Sequence, residues 1–150
     1  MQELGTTWLD QGIVVLASAA VVLICVGLHY EALSWLTKTL RRIHIKPRPR
    51  ILLLIFFILA VHVVEIWIFG VTYFLLLDDP ARGSLLAAHD IGLLDCVYFS
   101  AVCFTTLGLG DVVPTGAIRF LVGTQSLTGF VLIAWSGSFT FVEMQRFWKD

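Results

Sequence analysis

Apolar residues in this chain fall into long blocks separated by short polar stretches. Ile13 to Leu28 is interrupted only by small residues and Cys25, and the run continues through His29 to Trp35. Ile51 to Leu77 is apolar apart from His62, Glu65, Gly70, Thr72 and Tyr73. Phe120 to Val142 carries only scattered Ser, Thr, Gly and Gln among apolar positions. A helix of roughly 20 residues crosses a bilayer core of about 30 Å. The blocks therefore predict three spanning helices, over 12–36, 50–77 and 116–147. Pro47 and Pro49 are expected to end any helix between the first two. Asp78 to Asp90, with Gly83 and Ser84, reads as a polar turret.

A fourth apolar block, Ile91 to Thr105, is too short to cross, since at about 1.5 Å per residue it reaches only ~20 Å. The second span ends on the face where the third must begin, so this block must enter and leave by that face. It is expected to be a re-entrant helix. The Gly-rich run that follows, Thr106 to Asp111, cannot be helical. Irregular backbone at membrane depth is tolerated only where protein buries it or it lines water. Topology alone thus points to a pore.

Composition agrees: 58% of the residues are hydrophobic and 14% are charged, against about a quarter charged in soluble domains. The mean hydropathy is +0.89. Charge placement sets the orientation. Lys38, Arg41, Arg42, Lys46, Arg48, Arg50, Arg146 and Lys149, eight of the ten basic residues, fall on one side of the predicted spans. The positive-inside rule makes that side cytoplasmic, giving a multi-pass protein of the cell inner (plasma) membrane with its N-terminus outside and its C-terminus cytoplasmic. Glu3, Asp10, Asp78, Asp79, Asp90, Asp95 and Asp111 take the other side, with Arg82 and Arg119. No Lys or Arg precedes Lys38, so the first block reads as a retained helix rather than a cleaved signal. Topology accounts for the basic linker without nucleic acid, and Lys38 to Arg50 suits anionic lipid headgroups. Cys25 and Cys103 read as small core residues, and three cysteines form no complete disulfide set and no metal-ligand spacing.

The informative motif is Thr105-Thr106-Leu107-Gly108-Leu109-Gly110-Asp111, followed by Val112-Val113-Pro114. A selectivity filter turns successive carbonyls toward one axis, where they replace an ion's hydration shell. Gly108 and Gly110 adopt the required backbone angles cheaply. Leu107 and Leu109 are then expected to point back into the protein, and Thr106 to supply a hydroxyl at the inner end. The preceding helix aims its partly negative C-terminus at a central cavity and favours a cation there.

In residue types and spacing the motif resembles the potassium-channel signature Thr-Val-Gly-Tyr-Gly-Asp, with its Pro three residues on. The resemblance covers about Ile51 to Phe147 and implies a pore module made of outer helix 51–77, pore helix 91–105, filter 106–111 and inner helix 116–147. The chain so divides into a module over 51–150 and an N-terminal helix with its basic linker over 1–50. The fold class implied is an all-α membrane protein, three transmembrane helices plus a re-entrant pore helix and filter loop, assembled as a homotetramer. Potassium ions bound by Thr106, Leu107, Gly108, Leu109 and Gly110 are the only ligand implied, with no organic cofactor and no catalysis. Tyr98 and Phe99 stand where the family often has Trp-Trp, and with Thr105 and Asp111 would support the filter. Gly129 falls near the family's hinge glycine. Ser126, Phe130, Ile133, Gly137 and Phe141 are expected along the pore-facing side of the inner helix.

The chain departs from the family pattern twice. Leu109 replaces the usual Tyr, which opens the alternative of a weakly selective cation channel. Val102 replaces an acidic residue found behind many filters, leaving Asp111 without that carboxyl partner. A non-conducting subunit that keeps the pore fold is a further alternative, against which the intact Thr106-to-Asp111 run speaks.

His62 and Glu65 lie mid-membrane, three apart on one helix face. A charge at that depth costs about 2.5–3.5 kcal/mol on insertion scales. One reading is a neutral Glu65 hydrogen-bonded to His62, or to Trp135 or Thr140 on the third span. Another is a protonation-sensitive gating latch. Glu and His at this spacing also occur in carboxylate-bridged metal bundles, but those need further inward ligands, and His29 reads as an interface residue near the cytoplasmic end. The first helix has no role assigned by sequence.

Overall fold

The computed structural model describes residues 8–42 and 47–147; Glu3, Lys46 and Lys149 of the charge reading lie outside them. Helix α1 runs Trp8–Arg42, α2 Pro47–Leu76, α3 Leu93–Phe104 and α4 Arg119–Phe147. Strands β1 (Ser84–Leu86) and β2 (Val113–Thr115) pair antiparallel, Leu85 opposite Pro114. Among the described residues three helices are long and apolar enough to cross a membrane. The chain is a multi-pass, mostly helical membrane protein.

Helix boundaries depart from expectation most at α1, which runs Trp8–Arg42 rather than 12–36, and at the start of α2. The described part of α2 begins at Pro47, ahead of the residue 50 expected, with Pro47 and Pro49 inside its first turn. Proline is tolerated there because a first-turn N–H has no intrahelical acceptor. α2 ends before Asp78-Asp79-Pro80, where Pro80–Arg82 forms a 3₁₀ turn and the Asp79 carboxylate accepts the Ala81 N–H at 3.0 Å.

The turret is more ordered than an all-α reading allows, because β1 and β2 clasp it to the segment leaving the filter motif. The Ser84 and Thr115 hydroxyls meet at 2.7 Å. Gly83 and Gly116, both at positive φ, let the backbones touch: a Cβ on Gly83 would stand 2.2 Å from the Thr115 carbonyl oxygen.

α1 lies against α2 and α4, and α3 against α2 and α4. Leu33, Leu36, Leu40, Leu54 and Ile58 form one apolar cluster, with Phe139 packed on it. The C-terminal parts of α1 and α4 and the start of α2 therefore share one end of the bundle. The described residues Lys38, Arg42, Arg50 and Arg146 belong to that end. A larger cluster joins Val14, Val21, Phe69, Tyr73, Phe99, Phe104 and Leu121 toward the other end. The outward faces are apolar too, as at Leu23 and Phe56.

Two glycines let α3 approach its neighbours closely. A Cβ on Gly70 of α2 would lie 2.8 Å from Val97 Cα, and one on Gly129 of α4 would lie 2.2 Å from the Phe104 carbonyl oxygen. Between these contacts runs a buried polar chain. The Tyr73 hydroxyl donates to Gln125 Oε1 at 2.8 Å, and Gln125 Nε2 donates to the Ser100 hydroxyl at 2.6 Å and its carbonyl at 3.1 Å. The Ser100 hydroxyl donates onward to the Ile66 carbonyl at 2.8 Å. Gln125 thus ties α2, α3 and α4 through one fully buried amide. Gln125→Leu is expected to cost about 1–3 kcal/mol, because it orphans the Tyr73 hydroxyl. Thermal unfolding in detergent measures this, and adding Tyr73→Phe recovers part of the loss.

Candidate functional site

α3 ends in hydrogen bonds that continue into the filter motif. The Thr105 hydroxyl donates to the Ala101 carbonyl at 2.8 Å. The Thr106 N–H reaches the Cys103 carbonyl and the Leu107 N–H the Val102 carbonyl, both at 3.0 Å. Beyond them the backbone alternates. Thr106 has φ 58, Gly108 φ 59 and Gly110 φ 80, while Leu107 and Leu109 between them do not enter the positive-φ region. Thr106 is the one non-glycine residue at positive φ among the described residues. A β-branched residue rarely adopts that conformation.

The expected supports are arranged unevenly. Tyr98, exposed on α3, donates its hydroxyl to Asp111 Oδ2 at 2.6 Å, so a phenol takes the place of the missing carboxyl partner. Phe99 is buried edge-on against Tyr73, with ring centroids 5.2 Å apart. Leu107 and Leu109, expected to point back into the protein, are 62% and 58% exposed in the single chain. Behind the motif lies a cleft of about 390 Å³ lined by Phe99, Val102, Thr106, Gly110, Pro114 and Ser126. Asp95 caps the N-terminus of α3 by accepting the Gly92 N–H at 2.8 Å, and it pairs with His89 at 3.0 Å. That pairing raises the His89 pKa and lowers that of Asp95.

On α4, Phe130, Ile133 and Phe141 are exposed and Gly137 faces open space, which suits a cavity wall. Ser126 is half-buried instead, its hydroxyl donating to the Val122 carbonyl at 3.0 Å. Gly129 sits under the α3 terminus within an unbroken α4, and close packing alone accounts for a glycine there.

A second polar site lies where α1, α2 and α4 meet. Glu65 is fully buried. Its Oε2 pairs with His62 Nδ1 at 2.8 Å and its Oε1 with His29 Nδ1 at 2.9 Å. His62 is an expected partner; the other is His29, in place of Trp135 or Thr140. His29 is no interface residue, being fully buried, and Trp135 packs its ring against it at 5.2 Å. The Ser136 hydroxyl closes the circuit, 3.2 Å from His29 Nε2 and 3.1 Å from His62 Nε2. The two imidazoles stack with centroids 5.4 Å apart.

These contacts form a ring of four hydrogen bonds, and each needs one proton. Four protons leave the cluster neutral overall: an ionised Glu65 with one imidazolium, or a protonated Glu65 with two neutral imidazoles. Both arrangements satisfy every group. Sequence reasoning found His62 and Glu65 but missed His29 and Ser136, which lie 36 and 74 positions from their partners. It also missed Gln125, whose amide within an apolar span was the available signal.

The sequence profile of a family described as an ion channel matches residues 51–146. The chain belongs to that family, the two-transmembrane-type potassium-channel pores. The match takes in α3, the filter motif and α4, and leaves out α1. No curated protein and no solved structure gives a significant match.

Proposed function

We propose that the chain is one subunit of a homotetrameric pore that conducts potassium passively through the backbone carbonyls of Thr106 to Gly110. The observation that carries this reading is the alternation of positive φ at Thr106, Gly108 and Gly110 with ordinary φ at the two leucines. Such alternation turns successive carbonyls of a short strand toward one side, and a ring of such strands replaces an ion's hydration shell. Closed cyclic assembly is the usual way to build such a ring. It would also cover Leu107 and Leu109.

In this reading α3 is the re-entrant pore helix, entering and leaving by the outer face, and its C-terminus favours a cation in the cavity lined by Phe130, Ile133, Gly137 and Phe141. The basic end of the bundle faces the cytoplasm of the plasma membrane, where the Lys38-to-Arg50 segment meets anionic headgroups. Leu109 favours a second reading, weak selectivity, because it offers no phenol to brace the filter from behind.

Single-channel current from purified protein in planar bilayers, with potassium on one side and sodium on the other, separates these. A reversal potential near the potassium limit is expected. Clear openings that reverse near zero would make the pore a non-selective cation channel. Silence across conditions would favour a non-conducting subunit.

A further inference from the structure

We propose that His29, His62 and Glu65 form a binding site for a divalent transition-metal ion of the zinc class, which staples α1 to the pore module inside the membrane. One ligand atom from each residue lies within 4.8 Å of the others. Two imidazole nitrogens and a carboxylate are the donor set of zinc and its neighbours. Magnesium and calcium prefer oxygen-only shells of higher coordination number. Glu65 presents one oxygen to each Nδ1, so an ion between them meets two nitrogens and up to two oxygens, enough for four-coordination.

The surroundings fit a metal centre as well as the donors do. A ligating histidine ordinarily donates its second ring N–H to an outer acceptor that fixes its orientation. Ser136 Oγ stands within 3.2 Å of both Nε2 atoms and serves as that acceptor for both rings. The site is thus preorganised by three helices. Phe104, the last residue of α3, lies against His62 with ring centroids 5.6 Å apart, which sets an ion near the partly negative end of that helix. His62 is 13% exposed, while Glu65 and His29 are fully buried, so His62 offers the way in.

Protons and charge balance on binding. The metal-free ring is neutral and holds four protons. With the ion in place both imidazoles are neutral Nε2–H tautomers donating to Ser136 Oγ, whose own proton turns to a main-chain carbonyl of α4. Three protons remain and one leaves to water, so the loaded site carries a single positive charge.

The test uses the purified full-length chain in detergent, stripped with a chelator and then supplied with Zn²⁺ or Co²⁺ alone. The wild type is expected to retain one ion per chain through gel filtration, to show a Co²⁺ absorption spectrum of nitrogen ligation, and to unfold at a higher temperature with Zn²⁺ than without. Ser136→Ala, which alters only the outer acceptor, is expected to weaken binding roughly tenfold or more. Glu65→Gln and His29→Gln are expected to lose it more fully, while His89→Gln retains it. A wild type that holds neither ion after stripping and resupply overturns the proposal without recourse to variants. So does retention equal to that of Glu65→Gln, which would show an adventitious ion and a ring closed by protons only.

Discussion

Gly129→Val is expected to abolish current through the proposed pore and to lower the unfolding temperature of the subunit. A Cβ at this position would stand 2.2 Å from the Phe104 carbonyl oxygen, 2.8 Å from its carbon and 2.9 Å from its Cα. All three are backbone atoms at the end of α3, so no side-chain rotation relieves the contact. Overpacking a core costs about 1–3 kcal/mol when side chains can give way, and a backbone obstacle places this substitution at or beyond the upper end. The residue displaced is the one that leads into the filter motif, so the same movement that destabilises the subunit misaligns Thr106. Gly12→Ala and Gly123→Ala are the controls, because nothing lies within 4 Å of the Cβ either would carry. Current and unfolding temperature in Gly129→Val within the range of those controls would contradict the close-packing role.

The contrast between Gly129 and Gly137 also marks the limit of what the sequence carried. Sequence set Gly129 near the family's hinge glycine and Gly137 on the pore-facing side, and only the distance to Phe104 marks the first as a packing position. The spans were legible because lipid imposes a length on any apolar block, and the channel family because its motif is local: two glycines, a threonine pair and an aspartate within seven positions. The β1–β2 clasp was not legible, since Ser84 and Thr115 signal nothing until the chain brings them together. His29 was misread for the same reason. A histidine near the end of an apolar run looks like an interface residue, and its burial depends on Glu65 arriving from another helix.

The second large effect is expected at Gly110. Its φ of 80 lies in the left-handed region, where an L side chain costs roughly 1–2 kcal/mol. Thr106 already occupies that region at φ 58, so the strand holds one such conformation against its cost and has little room for another. In a symmetric assembly every copy carries the substitution around the same axis, and the penalties add within one narrow ring. Gly110→Ala is therefore expected to move the reversal potential from the potassium limit toward zero, or to reduce current roughly a hundredfold by the summed penalty of two or more copies. Whole-cell or bilayer recordings with potassium opposed to sodium measure both. A variant that keeps wild-type selectivity and conductance would show that the carbonyl of this residue does not need its observed backbone angle.

The ring around Glu65 also dictates how the protein is made. His29 leaves the ribosome first, and its partners follow 36 and 107 positions later. Until Glu65 follows on α2, α1 has no partner from the ring for its imidazole, and until Ser136 follows on α4 the Nε2 of that imidazole has none. The ring closes only when α4 delivers Ser136: a nascent chain truncated before α4 holds its first helix by the His29–Glu65 pair and apolar contact, with both imidazole Nε2 atoms still to be bonded.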